Sequence, residues 1–101
     1  MSSGPLFVRL LGYVHGRAGN RAEALRMIET LTGMASRGHV SPVDFAIIHA
    51  GLGDADSVFL WMERAYQQRE TRIAELSTPH FDQFRSDARY ASLMKRIGLP
   101  L

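Results

Sequence analysis

The feature that most constrains the fold is an internal repeat with a period of 34 residues. Positions 12–31 carry the same kinds of residue as positions 46–65. Five pairs fix the register: Gly12 and Ala46, His15 and His49, Gly19 and Gly53, Ala24 and Val58, and Ile28 and Met62. A period of this length is that of a unit of two helices joined by a turn. Such units bury their faces against one another and leave a curved surface for a partner.

Apolar spacing and helix-capping residues predict five helices and no strand. Asn20 is predicted to cap the second helix, with Glu23 completing a capping box. The predicted helices span 5–18, from Asn20 to about Ser36, from the cap Ser41 to Gly53, 55–69 behind the cap Asp54, and 87–97 before Gly98 and Pro100. Segment 70–86 is predicted to be irregular, with Phe81 and Phe84 pressed onto the core.

The composition limits the chain to one small domain and excludes several kinds of site. The 101 residues are 46% hydrophobic, which suits a single core. We therefore expect one domain over 1–101, with repeat one over about 5–38, repeat two over about 39–72 and a C-terminal cap over about 73–101. The chain has no cysteine, which excludes disulfides, thiolate zinc sites and thiol nucleophiles.

Charge and hydropathy argue against nucleic-acid and membrane partners. The net charge is only +2, and the cations are spread along the chain, whereas a nucleic-acid site needs them clustered. No run of residues approaches the roughly 20 apolar residues of a membrane helix. The first five residues, Met1 to Pro5, lack the charged-then-apolar order of a signal peptide. The compartment stays open, with the cytoplasm favoured, and so does the question of whether Met1 is the native start.

No residue is predicted to be catalytic, to bind a cofactor or to hold a metal. His15 and His49 recur, but two histidines without a third ligand make a poor zinc site, and each is expected to fill a semi-buried aromatic position. Asp54 and Asp56 suit a helix start, where negative charge is favourable. The sequence Gly51-Leu52-Gly53 is not a phosphate loop, because no strand precedes it and no Lys follows it.

With these residues in register, the two halves resemble a pair of tetratricopeptide repeats. The signature of that family places Leu-Gly before an aromatic residue, then a Gly turn, then Ala with a large residue four positions later. The copies read Leu11-Gly12, His15, Gly19, Ala24 and Ile28, and Phe45-Ala46, His49, Gly53, Val58 and Met62. Histidine replaces the aromatic residue in both, and the family's opening Trp and closing Pro are absent. The resemblance covers about 5–70 and implies an all-α helical-repeat fold of two antiparallel helix hairpins followed by a C-terminal capping segment and helix.

The resemblance implies a non-enzymatic protein–protein interaction module without a cofactor. The stretch 44–66, followed by 81–87 and 98–100, is also similar to the C-terminal repeats of bacterial multidomain regulators. That similarity implies a scaffold or sensing role within a larger regulator. The partner is expected to be a protein or a peptide.

In such repeats the first helix of each unit lines the concave side, which places candidate partner-binding residues there. The candidates are Leu6, Arg9, Tyr13 and Arg17 in the first copy and Val43 and Ile47 in the second. The groove would be cationic at one end and apolar at the other, which suits a peptide with an apolar anchor and a nearby carboxylate. The alternative is that these residues pack on a missing neighbour, because two repeats are fewer than the three or so usually needed. Residues 1–18 would then dock on a second copy, giving a homodimer, on a preceding domain or on a partner.

Overall fold

The computed structural model describes residues 4–98, and over these residues the chain is all-helical, with no strand. The predicted helices are confirmed to within two residues at each end, while Met1 to Ser3 and Pro100 lie outside the described residues. Segment 70–86, predicted to be irregular, instead forms two short 3-10 helices. The elements are α1 (Pro5–Arg17), α2 (Arg21–Ala35), α3 (Pro42–Leu52), α4 (Ala55–Gln67), the first 3-10 helix (Thr71–Ser77), the second 3-10 helix (Pro79–Phe84) and α5 (Ala88–Ile97).

Side-chain caps define the starts of α3, α4 and α5. Ser41, Asp54 and Asp87 accept hydrogen bonds from the backbone N–H groups of the helices that follow them. Each cap satisfies a donor that has no partner inside its helix. Two of the three, Ser41 and Asp54, are the caps that the sequence predicts.

Asn20 is the N-cap residue of α2, as predicted, but the predicted capping hydrogen bond of its side chain does not form. Its side chain makes no capping hydrogen bond with α2, and its Nδ2 atom lies 3.3 Å from Nδ1 of His15 in the preceding helix. The side chain therefore closes the α1–α2 turn instead of starting α2.

Helix α3 is the centre of the molecule, because it packs against α1, α2, α4 and both 3-10 helices. Most of its residues are buried, including the whole stretch from Pro42 to Ile48. A helix that is apolar on every side is stable only when neighbours cover all of it. The position of α3 thus follows from its composition.

Two hydrophobic clusters flank α3. The smaller one lies between α1, α2 and α3, and its buried members are Val8, Ala24, Leu31, Phe45 and Ile48. The larger one joins α3 and α4 to the chain after Gln67, and it includes Val43, Ile47, Val58, Met62, Leu76, Phe81, Phe84 and Leu93. Ala24 and Val58, which the repeat pairs with each other, are both fully buried, one in each cluster.

Glycines let α1 and α3 cross in backbone contact. A Cβ atom on Gly51 would lie 2.5 Å from the carbonyl oxygen of Tyr13, and one on Gly16 would lie 2.7 Å from the carbonyl carbon of Gly51. A Cβ on Gly12 would meet the side chain of Ile48 at 2.7 Å. Side chains larger than hydrogen at these positions would push the two helices apart.

Candidate functional site

The structure separates the six predicted partner-binding residues into three groups. Leu6 and Arg17 are exposed on α1, and Arg9 and Tyr13 are half-buried. Val43 and Ile47 are fully buried within the larger cluster. The predicted open groove therefore does not exist at its α3 end.

The chain's own C-terminal segment fills that end of the groove. Leu76 and Phe81, one from each 3-10 helix, are fully buried in the same cluster as Val43 and Ile47. The ring of His80 meets Tyr13 edge-on, with centroids 4.7 Å apart. The prediction that Val43 and Ile47 contact a partner is wrong for this fold, because a distant segment of the same chain already covers them.

The cationic end of the predicted groove is also occupied from within. Nη1 of Arg9 lies 3.2 Å from Oδ1 of Asp44 and 3.2 Å from Oε1 of Glu75. Arg72 reaches the same carboxylates, at 2.9 Å from Asp44 and 2.7 Å from Glu75. Four charged side chains thus tie α1, α3 and the first 3-10 helix together. The carboxylate that Arg9 was expected to bind on a partner is supplied by the chain itself.

Burial gives Asp44 an unusual proton affinity. The removal of its side chain from water, together with the nearby carboxylates of Glu75 and Glu70, raises the pKa of Asp44 to about 6. The guanidinium groups of Arg9 and Arg72 act in the opposite direction, because they favour the charged carboxylate. The cluster is a structural joint whose buried carboxyl group, Asp44, has a raised pKa.

The two histidines of the repeat have different local partners. His15 lies beside Asn20, while Nδ1 of His49 lies 3.7 Å from the carboxylate of Asp54. Burial lowers the pKa of His49, with Asp54 opposing the change.

Among residues 4–98, no group of three or more His, Cys, Asp or Glu side chains is placed to hold a metal ion. None of the helices in that range is long and apolar enough to cross a membrane.

One side of α1 exposes a continuous apolar stripe, which we call the α1 outer face: Leu6, Phe7, Leu10 and Val14. Their exposed fractions are 59%, 53%, 42% and 59%. At 100° per residue these four side chains fall within about a quarter of the helix circumference, opposite the buried Val8 and Gly12. Arg17, exposed as well, continues the stripe one turn later. An apolar side of this kind normally packs on another element.

Of the four residues of this stripe, Leu6 is the one among the partner-binding candidates predicted from the sequence. The repeat itself contained the signal. The 34-residue shift maps Val14 on Ile48, and Ile48 is fully buried because it packs against the first hairpin. On α3, the side that corresponds to the α1 outer face is therefore covered by the first helix hairpin. On α1 the same side is exposed.

The space between α4 and α5, which we call the α4–α5 cleft, has Leu60 as its one exposed large apolar side chain, since Phe59 and Leu93 are buried. It is an open cleft of about 560 Å³ with Phe59, Leu60 and Leu93 in its apolar lining. Two ion pairs bridge the helices across it, Arg89 with Asp56 at 2.8 Å and Arg96 with Glu63. Its size falls within the range of about 300–1,000 Å³ that is usual for binding pockets. Leu60 is half-exposed within it.

No family model, no curated protein and no solved structure matches this chain. The functional assignment therefore depends on the surfaces themselves.

Proposed function

We propose that this chain is a non-enzymatic protein–protein interaction module of the tetratricopeptide-repeat type, and that it docks through the α1 outer face. The observation that carries the proposal is the stripe of four large apolar side chains on a helix that is otherwise well packed. Exposed apolar stripes of this kind are typical of interaction surfaces.

The repeat-type arrangement is supported by element order and spacing. Helices α1 and α2 pack together, α3 and α4 pack together, and α3 packs on both helices of the first pair. Helices α2, α4 and α5 begin at residues 21, 55 and 88, so that their starts are 34 and 33 residues apart. In this scheme the two 3-10 helices and α5 stand where a third unit would follow, and they close that end of the stack.

The chemistry of the α1 outer face indicates what it binds. Its centre has no charged group, and α1 contains no acidic residue, while Arg17 stands at its C-terminal end. A complementary surface therefore offers apolar side chains to the stripe and a carboxylate to Arg17. A helix or a groove of another protein with these properties fits a helix-in-groove contact.

Site-specific photo-crosslinking in the native cell tests the proposal. A benzophenone side chain at Phe7 or Val14 should give a defined protein adduct, because these positions would face a partner surface. Glu29, exposed on α2, is the control position and should give none. The proposal is wrong if positions 7 and 14 give no adduct beyond that of position 29.

A further inference from the structure

We propose that the partner of the α1 outer face is an amphipathic helix of a different protein, with a carboxylate at each end of its apolar stripe. This inference rests on the proposed function and names the class of partner. It follows from the cations that flank the α1 outer face and from the carboxylates that the chain has already paired.

A cation stands at each end of the α1 outer face. Arg17 is exposed at the C-terminal end, on a helix that has no acidic residue. Arg37 stands at the N-terminal end, because it lines an open hollow together with Gly4 and Pro5, where α1 begins. None of the described residues that line this hollow carries a carboxylate. The surface is therefore positive at both ends and apolar between them.

The carboxylates of the chain are already engaged. Among residues 4–98, every Asp and Glu side chain except that of Glu29 lies within 4.0 Å of an Arg or His side chain. Six cations in the same range lie in no ion pair, namely Arg17, Arg21, Arg37, Arg64, Arg69 and Lys95. A surface that neutralises both ends of the α1 outer face has to supply free carboxylates, and this part of the chain has one.

A second copy of the chain does not match this charge pattern. If two copies paired through their α1 outer faces with parallel α1 helices, the two Arg17 side chains would meet. With antiparallel helices, Arg17 of each copy would come to the Arg37 end of the other. Both orientations set like charges against each other, which selects against this pairing.

A helix suits the shape of the surface. Its apolar side chains recur at three-to-four spacing from Leu6 to Val14 and extend over about 12 Å along α1. A second helix with apolar residues at the same spacing can lie along such a stripe. Pro5 and Arg17 are about 18 Å apart along the helix axis, so the two carboxylates of the partner helix should be roughly 11–12 positions apart.

The available area predicts weak binding. The four side chains of the α1 outer face expose roughly 400 Å². This is about half of the area that each partner contributes to an interface of standard size. We therefore expect a dissociation constant in the high micromolar range.

Two labelled probe peptides test the charge pattern. Both are helix-forming peptides of about 16 residues with leucines at three-to-four spacing. One carries a glutamate at each end of the leucine stripe, and the other carries lysines at the same positions. Fluorescence anisotropy at about 50 mM salt should show that the lysine peptide binds about tenfold more weakly than the glutamate peptide. Raising the salt to about 500 mM should remove most of this difference.

Matched variants of the chain locate the binding surface. Arg17→Gln combined with Arg37→Gln should weaken binding of the glutamate peptide about fivefold. Arg69→Gln combined with Lys95→Gln is the control, because it removes two exposed cations and the same net charge outside the α1 outer face, and it should leave the affinity unchanged. Leu10→Asp should abolish binding of both peptides. Circular dichroism checks folding, and Leu10→Gln replaces this variant if the aspartate unfolds the chain.

Four results of the titrations would overturn the inference: no binding of the glutamate peptide up to about 1 mM, equal affinity for the two peptides, equal effects of the two double variants, or binding that survives Leu10→Asp. A dimer of the chain alone that Leu10→Asp abolishes, seen by light scattering, would also overturn it, because a second copy would then be the occupant.

Photo-crosslinking separates this inference from the proposed function. If the titrations overturn the charge pattern while positions 7 and 14 still give a defined protein adduct, only this inference falls and the proposed function stands. Absence of both peptide binding and adducts would remove both.

Discussion

At the residue scale, glycine positions set the distance between α1 and α3. No local pattern marks Gly16 or Gly51 as a packing position. Both lie in the helix crossing, where the backbones touch. Their role depends on contacts between helices, and a local pattern does not contain that information.

Gly51→Ala should destabilise the fold, because its methyl group would lie 2.5 Å from the backbone oxygen of Tyr13, which cannot rotate away. We expect a loss of about 2–3 kcal/mol in the free energy of unfolding, measured by urea denaturation. Gly33→Ala is the control: it lies in α2 with no crowding atom nearer than 3.8 Å. That variant should gain about 0.5–1 kcal/mol, because Ala favours the helix. Equal effects of the two substitutions on the free energy of unfolding would contradict the backbone contact between α1 and α3 at Gly51.

The buried carboxyl of Asp44 should make stability depend on pH in an identifiable window. Its pKa is about 6 in the fold against an ordinary value of 3.8, so between these values the folded chain keeps a proton that the unfolded chain releases. This contribution to stability is fully present below about pH 4 and is lost as the pH rises through 6.

Asp44→Asn removes that titration. The free energy of unfolding of the variant minus that of the parent chain should therefore increase from pH 4 to pH 6, as measured by denaturant titration at each pH. An opposite slope would mean that Arg9 and Arg72 hold the carboxylate ionised and dominate over its burial.

At the element scale, the positions of the helices along the chain were predictable from the sequence, whereas the packing contacts between elements were not. Capping residues and apolar spacing gave the five α-helices, because these signals act within one turn or two. The covering of Val43 and Ile47 by residues 71–84 joins segments some 30 positions apart in the chain. The sequence did indicate that Phe81 and Phe84 press on a core, but it did not show which helix they would meet.

The two 3-10 helices should be part of the folding core, not a detachable lid. Phe81 is fully buried beside α3, so Phe81→Ala should lower the free energy of unfolding by about 3–4 kcal/mol. Phe7→Ala is the matched control, because Phe7 is 53% exposed, and it should change stability by less than about 0.5 kcal/mol. Thermal denaturation followed by circular dichroism measures both. A small effect at Phe81 would show that the segment can leave α3 without unfolding the domain.

At the scale of the whole molecule, the all-helical class followed from the 34-residue period, whereas the exposed surface was misjudged. Of the candidate groove residues, Val43 and Ile47 are covered from within the chain, whereas Leu6 and Arg17 belong to the exposed side of α1. Comparing the copies position by position would have corrected this, since Ile48 is buried where Val14 is open. Among the described residues, four of the six exposed large hydrophobic side chains thus lie on α1, while Leu25 and Leu60 are exposed singly.

Methyl NMR spectra of the chain, recorded before and after addition of the protein that is crosslinked at Phe7 or Val14, would test the central claim most directly. The account predicts shifts in the methyl groups of Leu6, Leu10 and Val14, while Leu25, which is exposed on α2, stays unchanged. Shifts at Leu25 in place of α1, or no shift at all, would contradict it.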